Sequence, residues 1–188
     1  MVQGMRRLVL VVVLALLALS VTALPSTATP TVRTSDQRDT TLEQGILRKV
    51  NRIRIGHGLR ALVLSPALQA AASYQSRDML EHGYFNHDQP GGATFGDRLR
   101  RFYPLVNGSR WIVGENLLWS TPGIGSSAAV KMWLASPPHR KNLLDPSWHE
   151  VGLGAFETSV GTGAFAAADG PVIVVTMDFG ARGAAAKH

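Results

Sequence analysis

The run Trp133-Leu134-Ala135-Ser136-Pro137-Pro138-His139-Arg140-Lys141-Asn142-Leu143-Leu144 sets a histidine behind two prolines and ahead of two cations. Proline fixes its own φ, removes a backbone donor and pushes the residue before it out of the α region. The helical pattern of residues 126–136, buried through Val130, Trp133 and Leu134, therefore stops here. The chain must bend sharply, and the bend presents His139.

Beyond the bend the character of the chain changes. Residues 149–159 (HEVGLGAFETS) and 171–180 (PVIVVTMDFG) are β-rich, with Gly-rich VGTGAFAAADG between them. The stretch GTGAFA from Gly161 matches a loose dinucleotide-binding pattern, which requires a helix opening within it. The following AADGP cannot sustain one, so the segment is a hairpin connection.

Before the bend lie helical patterns. Thr40 and Glu43 form a capping-box pair, and Leu42, Ile46, Val50 and Ile53 recur at helical spacing until Gly56-His57-Gly58. A second helix takes Ser65 as cap and Pro66 as first residue, carries Leu68, Ala72, Gln75 and Met79 on one side, and ends near Gly83. ATFGDRLRRF (93–102) is a short third helix, and WIVGENLLWS (111–120) a further strand. Helices first and a short antiparallel sheet afterwards predict an α+β fold rather than alternating βαβ units.

The ends bear on compartment. Arg6 and Arg7, an apolar run from Leu8 to Leu19, and Val21-Thr22-Ala23 have the form of a secretory signal peptide over residues 1–23. Residues 24–39 (LPSTATPTVRTSDQRD) hold Pro, Thr and Ser with little apolar content and are expected to be a flexible linker. The domain is expected over 40–180 and a disordered tail over 181–188. The chain has no cysteine, hence no disulfide and no thiol for lipid attachment. A domain of this size buries about 70% of its unfolded surface and folds without staples.

The net charge is +6, and the leader carries two of the cations. The rest cluster in LRKVNRIRIGHGLR and DRLRRF. On an exported chain such patches suit an anionic envelope polymer or lipid surface, or serve as a solvated helix face; no nucleic-acid partner and no stable membrane anchor are expected after signal cleavage.

No phosphate loop, no His-Glu-x-x-His and no Gly-x-Ser-x-Gly occurs. What remains is scattered. His87 follows an aromatic pair, Tyr84 and Phe85, that anchors its loop; Glu115 sits in apolar VGENLLW; His139 sits in SPPHR. Two imidazoles and a carboxylate can make a metal site with an open position, or an acid/base pair held by hydrogen bonds. Each can also be a structural residue satisfied by backbone donors. His57 between two glycines is a turn residue, His149 and Glu150 belong to an exposed strand start, and Trp111, Trp119 and Trp133 are core packing in preference to a ligand groove.

The ordered set VNRIR, GLRALVLSPALQAAASYQSRDML, YFNHDQP, GDRL, VGENLLW, MWLASPPHRKNLL and HEVGLGAF, from Leu42 to Phe179, resembles the bacterial branch of the CAP superfamily, the SCP-domain proteins. The resemblance implies an α-β-α sandwich around a small antiparallel sheet. It also implies a cleft with two histidines and two acids. His87 matches the first histidine, Glu115 one acid and His139 the second histidine. Ser136 stands where the family's other acid is expected, and Glu150 is the nearest replacement in sequence. Three ligands can still hold Zn2+, with lower affinity. The implied protein is secreted and binds a lipid, sterol or envelope ligand in that cleft; the alternative is a metal-assisted hydrolase using the same residues.

Overall fold

A computed structural model describes residues 37–105 and 109–184; the expected signal peptide and the linker up to residue 36 lie outside the described residues. In chain order the elements are β1 (Gln37–Arg38), α1 (Thr40–Gly56), β2 (Val63–Leu64), α2 (Pro66–His82), α3 (Phe95–Phe102), β3 (Ser109–Ser120), α4 (Ser126–Ala135), α5 (Pro137–Leu144), β4 (Glu150–Thr158) and β5 (Val172–Ala184), with a 3-10 turn at Gly163–Phe165. The α+β reading holds.

The strands form one sheet in the order β1-β4-β5-β3, antiparallel along that path, with β2 pairing parallel to β4. Alternation of side chains across the strands splits the core in two. Leu153, Ala155, Val175, Met177 and Phe179 face α1, α4 and α5, meeting Ile46, Val50, Val130 and Trp133. Leu117, Phe156, Val172 and Val174 face Met79 and Leu80 of α2 on the other side. The result is three layers, helix, sheet, helix, with β3 at one edge.

Two glycines of β4 fix how closely α2 approaches. A Cβ on Gly152 would lie 2.0 Å from the carbonyl carbon of Leu68, and one on Gly154 would lie 2.5 Å from that of Ala72. Only hydrogen fits there, and the helix backbone rests on the strand.

Several boundaries differ from expectation. Asp39, not Thr40, caps α1, its carboxylate accepting from Leu42 N–H at 2.8 Å. Glu43 is thereby released from the capping box. It is buried and accepts from Arg38, Gln69 and the backbone N–H of Ala155. The linker expected to reach residue 39 is ordered from Gln37, because β1 pairs with Phe156 and Glu157. At the other end β5 continues to Ala184 against β3, so residues 181–184 of the expected tail are strand; residues 185–188 lie outside the described ones.

The two prolines also do more than bend the chain. Ser136 ends α4 and caps α5, and Pro137 and Pro138 are the first two residues of α5. A missing N–H costs nothing in a first helical turn, and φ is already helical. His139 therefore sits in the opening turn of a helix.

Candidate functional site

The site is built around the outer edge of β3. Odd-numbered residues of β4 turn their backbone groups toward β1 and β2, as Ser65 N–H to Val151 O and Asp39 N–H to Ala155 O record. By the antiparallel register, even-numbered residues of β3 bond to β5 and odd-numbered ones face outward. Two outward carbonyls are capped by helix side chains: Asn142 Nδ2 donates to Glu115 O and Trp133 Nε1 to Leu117 O, both at 3.0 Å. Asn142 also donates to Asn116 Oδ1, and Asn116 Nδ2 donates to His139 O at 3.0 Å. These bonds lock α4 and α5 against the strand and set the His139 backbone.

Glu115 points to the other face, toward α2 and α3. Its side chain is 1% exposed and both oxygens are taken: Oε1 accepts from His87 Nδ1 at 2.6 Å, Oε2 from Arg98. Arg98, in α3, is itself buried and reaches Asp178 Oδ2 at 2.7 Å and Ala71 O at 3.0 Å. His87 is half-exposed, and Gln75 Nε2 donates to Asn86 O at 2.9 Å beneath its loop. With Nδ1 fixed by Glu115, Nε2 is left to meet a ligand, the usual use of a carboxylate behind a histidine.

The charges shift one another. The hydrogen bond that His87 donates to Glu115 raises the imidazole pKa, partly opposed by burial. Burial lowers His139, and the His87 charge lowers it further, so the two rings feel each other across the cleft. Burial pushes the Asp178 carboxyl up to about 7 against the pull of Arg98. Near neutral pH, His139 is the neutral ring and His87 the one that holds a proton more readily.

Beside His139 a groove of about 300 Å³ runs along β3, lined by Phe85, Leu117, Leu118, Trp119, Met132, Trp133, Ser136 and His139. Phe85 and Met132 stand exposed on its two rims. Ser136, where an acid was expected, is a wall of this groove. Trp119 lines it and meets Phe165 edge-on at 5.5 Å, and Trp133 serves both groove and core.

The remaining expectations fall elsewhere. Glu150 accepts from Tyr103 OH and lies 3.8 Å from Arg182, away from the imidazoles, and replaces no acid in the cleft. His149 is exposed, and His57 ends α1 at an exposed turn. Glu115 is a ring-orienting group here, not a free third donor. Among the described residues no three His, Cys, Asp or Glu side chains converge as a metal site.

Arg98 and Asp178 escaped the sequence reading. Asp178 carried a signal, a lone acid inside the apolar run PVIVVTMDFG, the same argument that singled out Glu115. Arg98 carried none, because Arg100 and Arg101 beside it have the same chemistry and stand in solvent.

Three comparisons place this architecture among known proteins. Two curated proteins of Bacillus subtilis are similar in sequence: the uncharacterized protein YkwD, 30% identical over 130 residues, and the uncharacterized membrane protein YlbC, 34% identical over 115 residues. The matches cover 68% and 61% of this chain but 48% and 32% of those proteins, so the chain spans a third to a half of their lengths. Among solved structures, an extracellular protein containing an SCP domain from Bacillus anthracis superposes with a TM-score of 0.55 at 31% identity, over 72% of this chain and 39% of that one. The model of the cysteine-rich secretory protein family matches residues 47–179, which include His87, Glu115 and His139. This cysteine-free chain belongs to that family, the CAP proteins.

Proposed function

We propose that this protein works outside the cytoplasm as a binding module, taking a ligand with an apolar body into the groove along β3. The ligand class is a lipid or sterol of the envelope, its polar end against His139 and His87. One observation carries the reading: six of the eight groove-lining side chains are apolar, and the two polar ones, Ser136 and His139, are neighbours. Small-molecule sites have this composition, apolar walls with a few polar groups that fix orientation. At about 300 Å³ the groove is at the small end of such sites and suits one chain or ring system. The export part of the proposal rests on the leader-like residues 1–23 and on the relative described as extracellular.

The test is to recover the protein from the medium of an expressing culture and extract it with organic solvent for mass spectrometry. A copurifying lipid or sterol, depleted in a Met132→Lys variant of the exposed groove rim, is the expected result. An empty extract, or equal ligand in both proteins, would refute it.

A second reading, metal-assisted hydrolysis, is favoured by the His87–Glu115 pair, which presents a carboxylate-backed imidazole to the cleft. Zn2+ would be held by His87 and His139 and would supply a Lewis acid. Catalytic zinc sites use three protein ligands, so two imidazoles imply weak affinity. Affinity should fall further toward pH 5, where the rings protonate. Calorimetry against a His87→Ala/His139→Ala variant, at neutral and acid pH, measures this. Turnover lost in His139→Ala would put the hydrolase ahead of the binding module.

A further inference from the structure

We propose that the outer face of α1, together with β2, is a second docking surface that lies against the headgroups of an anionic bilayer. It is separate from the groove and does not depend on the groove's ligand.

The observation begins in the sequence. From Gln44 to Arg77 there is no aspartate or glutamate, while Arg48, Lys49, Arg52, Arg54, Arg60 and Arg77 all fall within the stretch. The fold then sorts these cations. Arg54 is buried and spends its guanidinium on the carbonyls of Arg60, Leu143 and Asp145. Arg48, Arg52 and Arg60 are exposed, Lys49 is half-exposed, and none of the four has an ion-pair partner among the described residues. The one acid of α1, Glu43, is buried and committed to Arg38. Helices α4 and α5 of the same layer carry Lys131, Arg140 and Lys141 exposed and no acid.

Apolar side chains stand among these cations. On α1, residues 44, 48, 52 and 55 form one exposed ridge, and Ile55 on it is 62% exposed. The chain returning from α1 is tied alongside it: Asn51 exchanges two hydrogen bonds with the backbone of Leu62. That return delivers β2, where Val63 is 66% and Leu64 49% exposed. These are three of the most exposed large apolar residues described: Ile55 stands at the C-terminal end of the basic helix, and the returning strand carries Leu64 back beside Gln44 and Leu47 near its start.

Charge complementarity selects an anionic partner, and the apolar residues select which kind. A soluble polyanion would pair with Arg48, Arg52 and Arg60 and leave Ile55, Val63 and Leu64 in water. A bilayer interface takes both, cations at the phosphates and apolar tips at the acyl boundary. Each cation near an anionic leaflet is worth roughly a fivefold change in partitioning, so removing three predicts a loss of about 100-fold.

The test is cosedimentation of the full chain with vesicles of phosphatidylglycerol and phosphatidylcholine, and with phosphatidylcholine alone. The variants Arg48→Gln/Arg52→Gln/Arg60→Gln and Val63→Ser/Leu64→Ser are run beside the wild-type chain, so that any contribution of apolar residues 8–19 cancels. All five positions are exposed, and circular dichroism checks that each variant is folded. A heparin column supplies the soluble-polyanion arm. The proposal expects binding to anionic vesicles that drops about 100-fold in the triple variant. It also expects a clear drop in the Val63/Leu64 variant, whose heparin retention is unchanged. Equal vesicle binding by the triple variant overturns it. So does a Val63/Leu64 variant that binds vesicles like the wild type, which would make the surface a polyanion site.

Discussion

Replacing Arg98 by methionine removes the guanidinium that bridges two buried carboxylates. Glu115 and Asp178 have side chains 1% and 0% exposed, and Arg98 donates to both while also serving Ala71 O. Methionine fills the volume but leaves both acids and one carbonyl without that donor. Stripping one partner from a buried ion pair costs about 3–5 kcal/mol. At 2–4 °C per kcal/mol for a domain of this size, the melting temperature should fall by about 10 °C at pH 7. The penalty should shrink at pH 5, where the Asp178 carboxyl, already raised to about 7 beside Arg98, takes up a proton. A triple variant, Arg98→Met/Glu115→Gln/Asp178→Asn, has no charge left to strand and should regain most of the loss. Thermal unfolding followed by far-UV circular dichroism measures all three proteins. If Arg98→Met costs less than about 1 kcal/mol, or the triple variant is no better than the single one, the buried-charge account is wrong.

Further outcomes follow from the same geometry. Asp178 and His87 both have folded pKa values above their unfolded ones, so the folded state holds protons that the unfolded chain releases. Their contributions are present at low pH and are lost as pH rises, for Asp178 between about 4 and 7 and for His87 above its ordinary 6.5. His139, lowered by burial, works the other way and adds stability as pH rises, so the readout is a difference. In urea melts from pH 5 to 8 the Asp178→Asn profile should fall less steeply with pH than the wild-type one, and identical profiles would contradict the assignment. Gly152→Ala puts a methyl 2.0 Å from the Leu68 carbonyl carbon, so α2 must lift from β4. A loss of about 3 kcal/mol or more is expected in chemical denaturation, and a neutral substitution would show that the helix has room to move. Glu115→Gln should lower the His87 pKa while leaving helix content intact; an unchanged imidazole titration by NMR would mean that Glu115 does not hold the ring.

How much of this was legible in the sequence depends on the range of the interaction. The helices at 40–56, 66–82, 95–102 and 126–135 announced themselves through periodicity, caps and prolines, which are local signals. The strand ends did not. β1 and the last residues of β5 exist because partners far away in sequence, Phe156 and Glu157 for one and residues 109–112 for the other, pair with them, and nothing in QR or ARGA declares it. His139 in a helix rather than a bare bend was missed because the two prolines were read as breakers, when in a first turn they are starters. Within the site, Glu115 stood out as a charge in an apolar strand. A hydrogen bond between it and an imidazole was among the readings left open there. Its pairing with Arg98 was invisible, because α3 reaches β3 only in the folded chain.

The central claim is that the groove along β3 binds an apolar ligand whose polar end meets the histidines, and two tryptophans line that groove to report on it. The direct measurement is intrinsic fluorescence on titration with a fatty acid brominated along its chain, a contact quencher, at neutral pH. The account predicts saturable quenching that is abolished by Met132→Lys and weakened by His139→Ala, because the first blocks the apolar rim and the second removes the polar anchor. Quenching that never saturates, or that is the same in wild type and Met132→Lys, would contradict it.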